Sequence, residues 1–196
     1  MKKTVITIGR QYGSGGRVIA QRLAERLGIP YYDKEIIQSV AKETGLSESY
    51  IKEIDQKPTN SFLYDLVFAT QGPTIPDQVY IAQSKVIRRV AEEGPCVIVG
   101  RCADYVLRET PHRLSVFVCA PLEERVERAK RDYGVQNANL ESYVQRQDKQ
   151  RASYYNYFAT GKWGDGSSYD LCINSRIGLD AAVDVIEKAA QALDGK

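Results

Sequence analysis

One stretch near the N-terminus constrains this chain more than any other. Residues 4–8 form the β-branched apolar run Thr-Val-Ile-Thr-Ile, and four glycines fall within residues 9–16. Apolar residues at roughly helical spacing, mixed with charged residues, then continue to residue 27. A buried strand, a glycine-rich turn and an amphipathic helix, in this order, are typical of a phosphate-binding element, because glycine backbone N–H groups and the helix N-terminus both attract anions.

The stretch matches the P-loop pattern G-x-x-x-x-G-K-[ST] only in part. If Gly15 is the glycine before the lysine, Gly16 stands where the lysine belongs, and Val18 stands where many nucleotide kinases place Ser or Thr. If the frame slides by one residue, Arg17 takes the lysine position. An ordinary tight turn is the alternative interpretation, but four glycines flanked by Arg10 and Arg17 are more than a turn requires.

We therefore predict that this loop binds the phosphates of a nucleotide. The residues expected to bind it are Gly13, Ser14, Gly15, Gly16, Arg17 and Val18. A cation beside the β- and γ-phosphates neutralises charge as the bond breaks, so an arginine should replace the missing lysine, with Arg17 the first choice and Arg10 the second.

Composition excludes several classes of protein. The 196 residues suit one domain, residues 1–196, and a net charge of +2 argues against a dedicated nucleic-acid binder. No apolar run approaches the roughly 20 residues that cross a bilayer. The N-terminus carries no signal-peptide pattern, so we expect a cytoplasmic protein without a membrane partner. One histidine and four cysteines without a C-x-x-C pair offer no zinc site, so any metal should be Mg²⁺ held by oxygens and nucleotide phosphates.

Apolar strand-like runs alternate with helical patterns along the chain. The strands are predicted at residues 4–8, 30–32, 96–99, 114–118 and 169–174. The helices are predicted after the glycine loop and at residues 34–43, from a cap at Ser47, and at 77–92, 103–107, 121–131, 140–158 and 179–193. This alternation predicts an α/β fold with a parallel sheet covered by helices on both faces, and the ligand should lie at the carboxyl ends of the strands. Residues 55–77 are the least regular part, predicted as a helix between loops.

Arginines cluster where phosphate chemistry would need them. Arg101 follows a buried strand at the expected ligand edge, where an idle charge is uncommon. Arg125, Arg128 and Arg131 share one helix at a spacing of three, where a solvated helix face is the equal alternative. Arg151 belongs to a further basic group on the next predicted helix.

Several of these motifs together resemble the cytidylate kinase-like family. The segments that carry the resemblance are Val97-Ile98-Val99-Gly100-Arg101, the strand 114–118 with Glu123-Glu124-Arg125 after it, Asp148-Lys149-Gln150-Arg151, and Tyr169 to Ser175. The family's divergent branch also has the Gly-Ser-Gly-Gly-Arg loop, a Tyr-Tyr-Asp-Lys-Glu segment after the first helix and Trp-Gly near the lid. The resemblance covers nearly the whole chain.

The resemblance implies a P-loop NTPase-type three-layer sandwich with a five-stranded parallel sheet and a helical lid. Residues 45–76 would be a variable acceptor-side helical insert, and residues 132–165 the lid. ATP with Mg²⁺ would be the donor and a nucleotide or other small phosphorylated molecule the acceptor. The residues implied for catalysis are Arg17, Arg125, Arg131 and Arg151, and those implied for the acceptor are Arg10, Asp33, Lys34, Arg101 and Asp104.

Departures from the family pattern leave two functions open. Gly-Arg-Asp has become Gly100-Arg101-Cys102, and Asp33 is followed by Lys34 and not by Ser-Gly. These changes make CMP a doubtful acceptor. The first hypothesis is an ATP-dependent phosphotransferase acting on a nucleoside monophosphate or another small acceptor. The second is a non-catalytic nucleotide-binding regulator with a degenerate P-loop. The oligomeric state does not follow from the sequence.

Overall fold

The computed structural model describes residues 4–56 and 74–195, which form an α/β fold around one sheet. The five strands are β1 (Val5–Arg10), β2 (Tyr31–Tyr32), β3 (Val97–Val99), β4 (Arg113–Cys119) and β5 (Leu171–Asn174). They lie in the order β2-β3-β1-β4-β5, and all four neighbouring pairs are parallel. The predicted parallel sheet and all five predicted strands are therefore confirmed.

Eight α-helices lie within the described residues, and they connect and cover the strands. They are α1 (Gly16–Leu27), α2 (Lys34–Thr44), α3 (Glu48–Gln56), α4 (Ile75–Glu92), α5 (Ala103–Val106), α6 (Leu122–Arg131), α7 (Leu140–Phe158) and α8 (Leu179–Asp194). Short 3₁₀ turns lie at Gly166–Ser168 and Ser175–Ile177. The helix predicted within residues 55–77 falls largely outside the described residues, and so does much of the predicted insert at 45–76.

The long helix α4 begins two residues before its predicted start at Asp77. The side chain of Thr74 accepts a hydrogen bond from the Asp77 backbone N–H at 3.3 Å, and the Thr74 N–H donates to the Asp77 carboxylate at 3.0 Å. This reciprocal capping box moves the helix start to Ile75, with Pro76 tolerated in the first turn. The predicted cap of α3 is confirmed, since Ser47 Oγ accepts from the Tyr50 N–H at 3.2 Å.

Two apolar cores cover the two faces of the sheet and make the three layers. On one face α1 and α8 pack against the sheet through residues such as Leu23 and Ile186, both fully buried. On the other face α2, α3 and α4 pack through residues such as Ile36 and Ile87. Successive β3 residues alternate between these cores, as period-two side chains require.

This arrangement brings the chain segments that follow the strands to one edge. The glycine loop follows β1, Asp33 follows β2, and Gly100 follows β3. The carboxyl ends of parallel strands meet at the same edge, which is where ligands bind in open α/β sheets. Within the described part of the chain, no helix is both long enough and apolar enough to cross a membrane.

Candidate active site

The glycine loop between β1 and α1 is held in a curled conformation. Gly13 has φ +77° and Gly15 has φ +80°, a backbone region that favours glycine. Ser14 is fully buried, and its hydroxyl donates to the Gln11 carbonyl at 2.9 Å. Ser175, just after β5, donates from its hydroxyl to the Ser14 carbonyl at 2.7 Å. The carbonyls are therefore tied back into the protein.

The loop N–H groups are arranged differently from its carbonyls. Within residues 4–56 and 74–195, the backbone N–H groups of four residues have no hydrogen-bond acceptor: Gly13, Gly15, Arg17 and Val18. These groups belong to the loop and to the first turn of α1, where the helix dipole adds positive potential. Such a cluster of free donors fits the oxygen atoms of a phosphate group. The structure thus brings together the predicted residues Gly13 to Val18, although the Ser14 side chain has a structural partner.

Arg17 does not occupy the lysine position of the P-loop pattern. With Gly15 as the glycine before the lysine, Gly16 stands at the lysine position and Arg17 at the Ser/Thr position, which corrects the assignment of Val18 to it. The Arg17 side chain leaves the loop and donates from Nε to Asp33 Oδ2 at 2.7 Å, and a second nitrogen contacts the same oxygen. About half of this side chain, 49%, stays exposed.

Asp33 is a buried carboxylate held among arginines. It lies at the N-cap of α2, with 4% of the residue exposed, and Arg101 Nη1 contacts its other oxygen at 3.4 Å. Burial raises the pKa of this carboxyl, but Arg101, Arg10 and Arg17 together outweigh burial and keep the pKa below its ordinary value. Asp33 therefore remains ionised at neutral pH, and it can accept hydrogen bonds.

Arg101 is presented by an uncommon backbone turn. Gly100, Arg101 and Cys102 follow β3 with φ angles of +75°, +55° and +52°. Glycine adopts this left-handed region readily, but Arg101 and Cys102 are strained in it, and such strain concentrates at functional sites. The turn leaves 11% of the Arg101 side chain exposed and places it beside Asp33.

A cavity of about 190 Å³ opens beside this turn. Its wall combines cationic, acidic and aromatic groups: Arg10, Arg101, Asp104, Arg151, Tyr155 and Trp163. Four predicted site residues, Arg10, Arg101, Asp104 and Arg151, therefore meet at one pocket. Lys34 does not line it and is exposed at the first residue of α2. A pocket with three arginines suits an anionic ligand.

Helix α7 carries Arg151 to the glycine loop. Arg151 Nη1 donates to the Arg10 carbonyl at 3.1 Å, and its guanidinium lies over the Tyr12 ring at 5.4 Å from the centroid. Burial lowers the pKa of Arg151. One turn earlier, the Asp148 carboxylate accepts from the Tyr12 N–H at 2.7 Å. Asp148 and Arg151, one turn apart on the predicted lid helix, therefore both contact the segment at the start of the glycine loop.

The α6 arginines mainly support the loop. Arg125 is buried, pairs with the Asp148 carboxylate and contacts the Tyr12 carbonyl at 3.4 Å. Arg128 donates to the Gly13 carbonyl. Arg131 is exposed and pairs with the adjacent Asp132 through Nε at 2.7 Å. The side chains of Arg125 and Arg131 are both bonded to other groups of the protein. Their catalytic role therefore stays a prediction.

Asp104, a predicted site residue, forms a polar pair with Tyr155, for which the sequence predicted no role. Asp104 is buried, and its Oδ2 accepts from the Tyr155 hydroxyl at 2.7 Å. Burial raises the pKa of the Asp104 carboxyl. Neither Tyr155 nor Asp148 was predicted as a site residue. The spacing Asp148-x-x-Arg151 was the available signal for Asp148, whereas Tyr155 lies in a tyrosine cluster with no distinctive spacing.

The raised pKa of Asp104 gives a pH-dependent prediction. When folding raises the pKa of a carboxyl, the protein loses stability as the pH rises from the ordinary pKa of 3.8 through the pKa in the folded state. The reason is that the folded state resists ionisation of the buried group. Asp104→Asn removes this loss and can still accept from Tyr155. We expect Asp104→Asn to melt about 2–4 °C higher than the native chain at pH 7, on the order of 1 kcal/mol, with a smaller gap near pH 4.

Thermal unfolding across this pH range measures the effect. Glu109→Gln is the matched control, since 86% of the Glu109 side chain is exposed and its neutralisation should change little. A gap between Asp104→Asn and the native chain that stays constant from pH 4 to pH 7 would contradict the assignment.

Comparison with known proteins agrees with this geometry. The sequence profile of the cytidylate kinase-like family matches residues 5–177. A cytidylate kinase from Pyrococcus horikoshii is 30% identical over 96% of this chain and 88% of that protein. The crystal structure of an uncharacterised protein from Eubacterium ventriosum superposes with a TM-score of 0.73 and 31% identity, covering 96% of this chain and 99% of that one. A shikimate kinase from Bacteroides thetaiotaomicron shares the fold, with a TM-score of 0.56 and 14% identity over 96% and 98% of the two chains.

Proposed function

Because this chain belongs to the cytidylate kinase-like family, we propose that it is a kinase that transfers a phosphoryl group from ATP to a nucleoside monophosphate or a similar small phosphorylated acceptor. The observation that carries the proposal is that two anion-binding features meet at Arg10. The free N–H groups belong to the loop that follows Arg10, and Arg10 itself lines the arginine-rich cavity. Phosphoryl transfer requires such positioning and positive charge and little covalent chemistry from the protein.

On the donor side, the N–H groups of Gly13, Gly15, Arg17 and Val18 bind phosphate oxygens. Arg125 and Arg128 hold the loop carbonyls away from that position, so that donors and not acceptors face the anion. Mg²⁺, bound with ATP, neutralises phosphate charge. Its ligands in our proposal are phosphate and water oxygens. Within residues 4–56 and 74–195, no group of three or more acidic, histidine or cysteine side chains could hold a metal ion.

On the acceptor side, Arg101 binds the acceptor phosphate and Asp33 orients an acceptor hydroxyl. Asp33 suits this role because its lowered pKa keeps it an acceptor of hydrogen bonds at neutral pH. Asp104, Tyr155 and Trp163 form the far wall, where a sugar or a base can make polar and stacking contacts. The identity of the acceptor within this class is the part that experiment must supply.

A non-catalytic nucleotide-binding regulator is the second candidate. It is favoured by Gly16, which puts no cation at the lysine position, and by the pairing of Arg17 with Asp33. Such a protein would bind ATP in the same loop and turn none over.

The test is a turnover assay on a panel of acceptors. The protein is incubated with ATP, Mg²⁺ and each of CMP, dCMP, UMP, AMP and GMP, and ADP and the diphosphate product are quantified. We expect stoichiometric formation of both with at least one acceptor, and less with Arg101→Ala at low acceptor concentration. ATP binding without ADP formation on any acceptor would favour the regulator, and the absence of ATP binding would contradict both.

Hydrogen exchange tests the proposed lid. Residues 132–165 include α7, which touches the loop through Asp148 and Arg151. Kinases close over their substrates to exclude water. We expect backbone amides of residues 132–165 to exchange more slowly when ATP and acceptor are both bound, whereas the C-terminal half of α8, packed beside α1 against the sheet, keeps its rate. Equal exchange of residues 132–165 with and without ligands would show that no lid closes.

A further inference from the structure

Arg10 is a cation at the site, and Asp33 supplies the nearby negative charge that acts on it. Arg10 is the last residue of β1, it lines the cavity, and no hydrogen bond or ion pair of its guanidinium is recorded within the described ranges of the chain. Desolvation by burial, followed by the neighbouring Arg151, lowers the pKa of Arg10 to about 9, so it still carries its charge at pH 7. A partly buried cation without a direct ion pair in the described residues is suited to a ligand that supplies the anion.

Two glycines make room for this side chain. A Cβ on Gly16 would lie 2.7 Å from Arg10 Cβ and 3.2 Å from Arg10 Cγ. A Cβ on Gly100 would lie 2.1 Å from Arg10 Nη1. Arg10 therefore passes over the start of α1 and ends against the turn after β3. No side chain fits at position 16 while arginine occupies position 10.

Position 16 is where the P-loop pattern has its lysine, whose charge reaches the β- and γ-phosphates. The missing lysine and Arg10 are therefore sterically linked, because the Arg10 side chain occupies the space that a side chain at position 16 would need. Arg17, the other arginine of the loop, is engaged with Asp33 and about half exposed, so it is less suited to replace the lysine.

We propose that Arg10 supplies, from the end of the strand, the cation that a lysine at position 16 would supply from the helix, and that it binds the β- and γ-phosphates of ATP. The inference rests on the proposed function, since it concerns the same donor site. A guanidinium can bind two phosphate oxygens at once, whereas an ammonium acts as a point charge. Arg10 also lies between the loop and Arg101, so it contacts the phosphates from the acceptor side.

The exchange can be reversed by mutation, which gives a direct test. Alanine at position 10 would keep the Cβ that blocks position 16, so glycine is placed there. Val118 Cβ, 3.3 Å from a Cβ on residue 16, must still shift by a few tenths of an ångström. The variants are Arg10→Gly, Gly16→Lys and the double variant Arg10→Gly/Gly16→Lys. Binding of ATP, ADP and AMP with Mg²⁺ is measured by calorimetry, after circular dichroism has confirmed folding.

We expect Arg10→Gly to bind ATP about 10- to 150-fold more weakly than the native chain, as for loss of a charge-assisted hydrogen bond. AMP, which lacks the β- and γ-phosphates, should change far less. Gly16→Lys alone should also bind ATP weakly, because its side chain collides with Arg10. The double variant should regain at least about tenfold over Arg10→Gly, since the new lysine then takes the phosphates.

Three results would overturn the inference. Native ATP affinity in Arg10→Gly would show that Arg10 does not bind the donor, and so would equal losses for ATP and AMP. A double variant no better than Arg10→Gly would show that the two positions do not exchange roles. If the double variant does not fold, Arg10→Lys and Arg10→Met decide: the lysine variant should keep most ATP affinity and the methionine variant should lose it. Failure of the native chain to bind ATP would be a different result, because it contradicts the proposed function itself.

Discussion

Replacing Arg151 by alanine should lower kcat for phosphoryl transfer by about 10³-fold, the lower end of the effect of a catalytic arginine on a transferring phosphoryl group. The physical reason is that Arg151 reaches the cavity from α7, beside the end of β1, and burial there lowers the pKa of its guanidinium. A desolvated charge near the reacting phosphate stabilises the negative charge of the transition state more than that of the ground state, so KM for the acceptor should change much less.

Steady-state kinetics on the acceptor found in the panel would measure this. Arg101→Ala provides the contrast, because Arg101, which adjoins Asp33, is the residue proposed to bind the acceptor phosphate, and its loss should chiefly raise KM for the acceptor. Arg146→Ala is the matched control on the same helix: Arg146 is exposed and lies over the Tyr143 ring at 5.6 Å from the centroid. If Arg151→Ala kept the native kcat, Arg151 would not stabilise the transition state.

Gly13→Ala should both unfold more easily and bind ATP poorly. A Cβ on Gly13 would lie 2.5 Å from the Arg125 carbonyl oxygen, and backbone atoms cannot rotate aside. The left-handed φ of +77° costs about 1–2 kcal/mol for alanine, and the overpacking costs about 1–3 kcal/mol more. For a chain of this size we expect the melting temperature to fall by about 5–15 °C. ATP binding should fall as well, because the loop N–H groups move.

Gly28→Ala separates the two contributions. Gly28 has a similar φ of +64° at the C-terminus of α1, but its Cβ would meet no atom within 4 Å. Alanine there bears the backbone cost alone and leaves the phosphate site intact. If thermal unfolding gave the same loss for both variants, the contact between Gly13 and Arg125 would not hold the loop as described.

Much of the fold could be predicted from the sequence, because burial on both faces of a parallel sheet leaves a simple pattern. All five strands form where strand-like runs predicted them. The ends differ, as β1 extends to Arg10 and pairs it with Val118 of β4. Strand ends depend on a partner strand distant in sequence, and the local pattern does not contain that information.

The site could be predicted as a set of positions but not as a set of contacts. The sequence located the glycine loop, Arg101 and Arg151 at one edge, and the structure brings them together. It ranked Arg17 above Arg10 as the replacement for the lysine, since helical and strand spacing give a side chain's face but not its partner. Arg17 is drawn to Asp33, sixteen residues away, and Arg128 to the Gly13 carbonyl. Residues 57–73, within the predicted insert, lie outside the described residues.

The left-handed turn at Gly100, Arg101 and Cys102 has a consequence for laboratory evolution of this protein. Arg101 and Cys102 each adopt a backbone conformation that disfavours side chains by about 1–2 kcal/mol, so glycine at either position would relieve strain. A library screened only for survival at high temperature should therefore enrich glycine here and discard the guanidinium that faces Asp33. Selection for heat resistance would favour glycine at these positions, whereas selection for turnover would favour Arg101. A screen must therefore require both properties to keep Arg101.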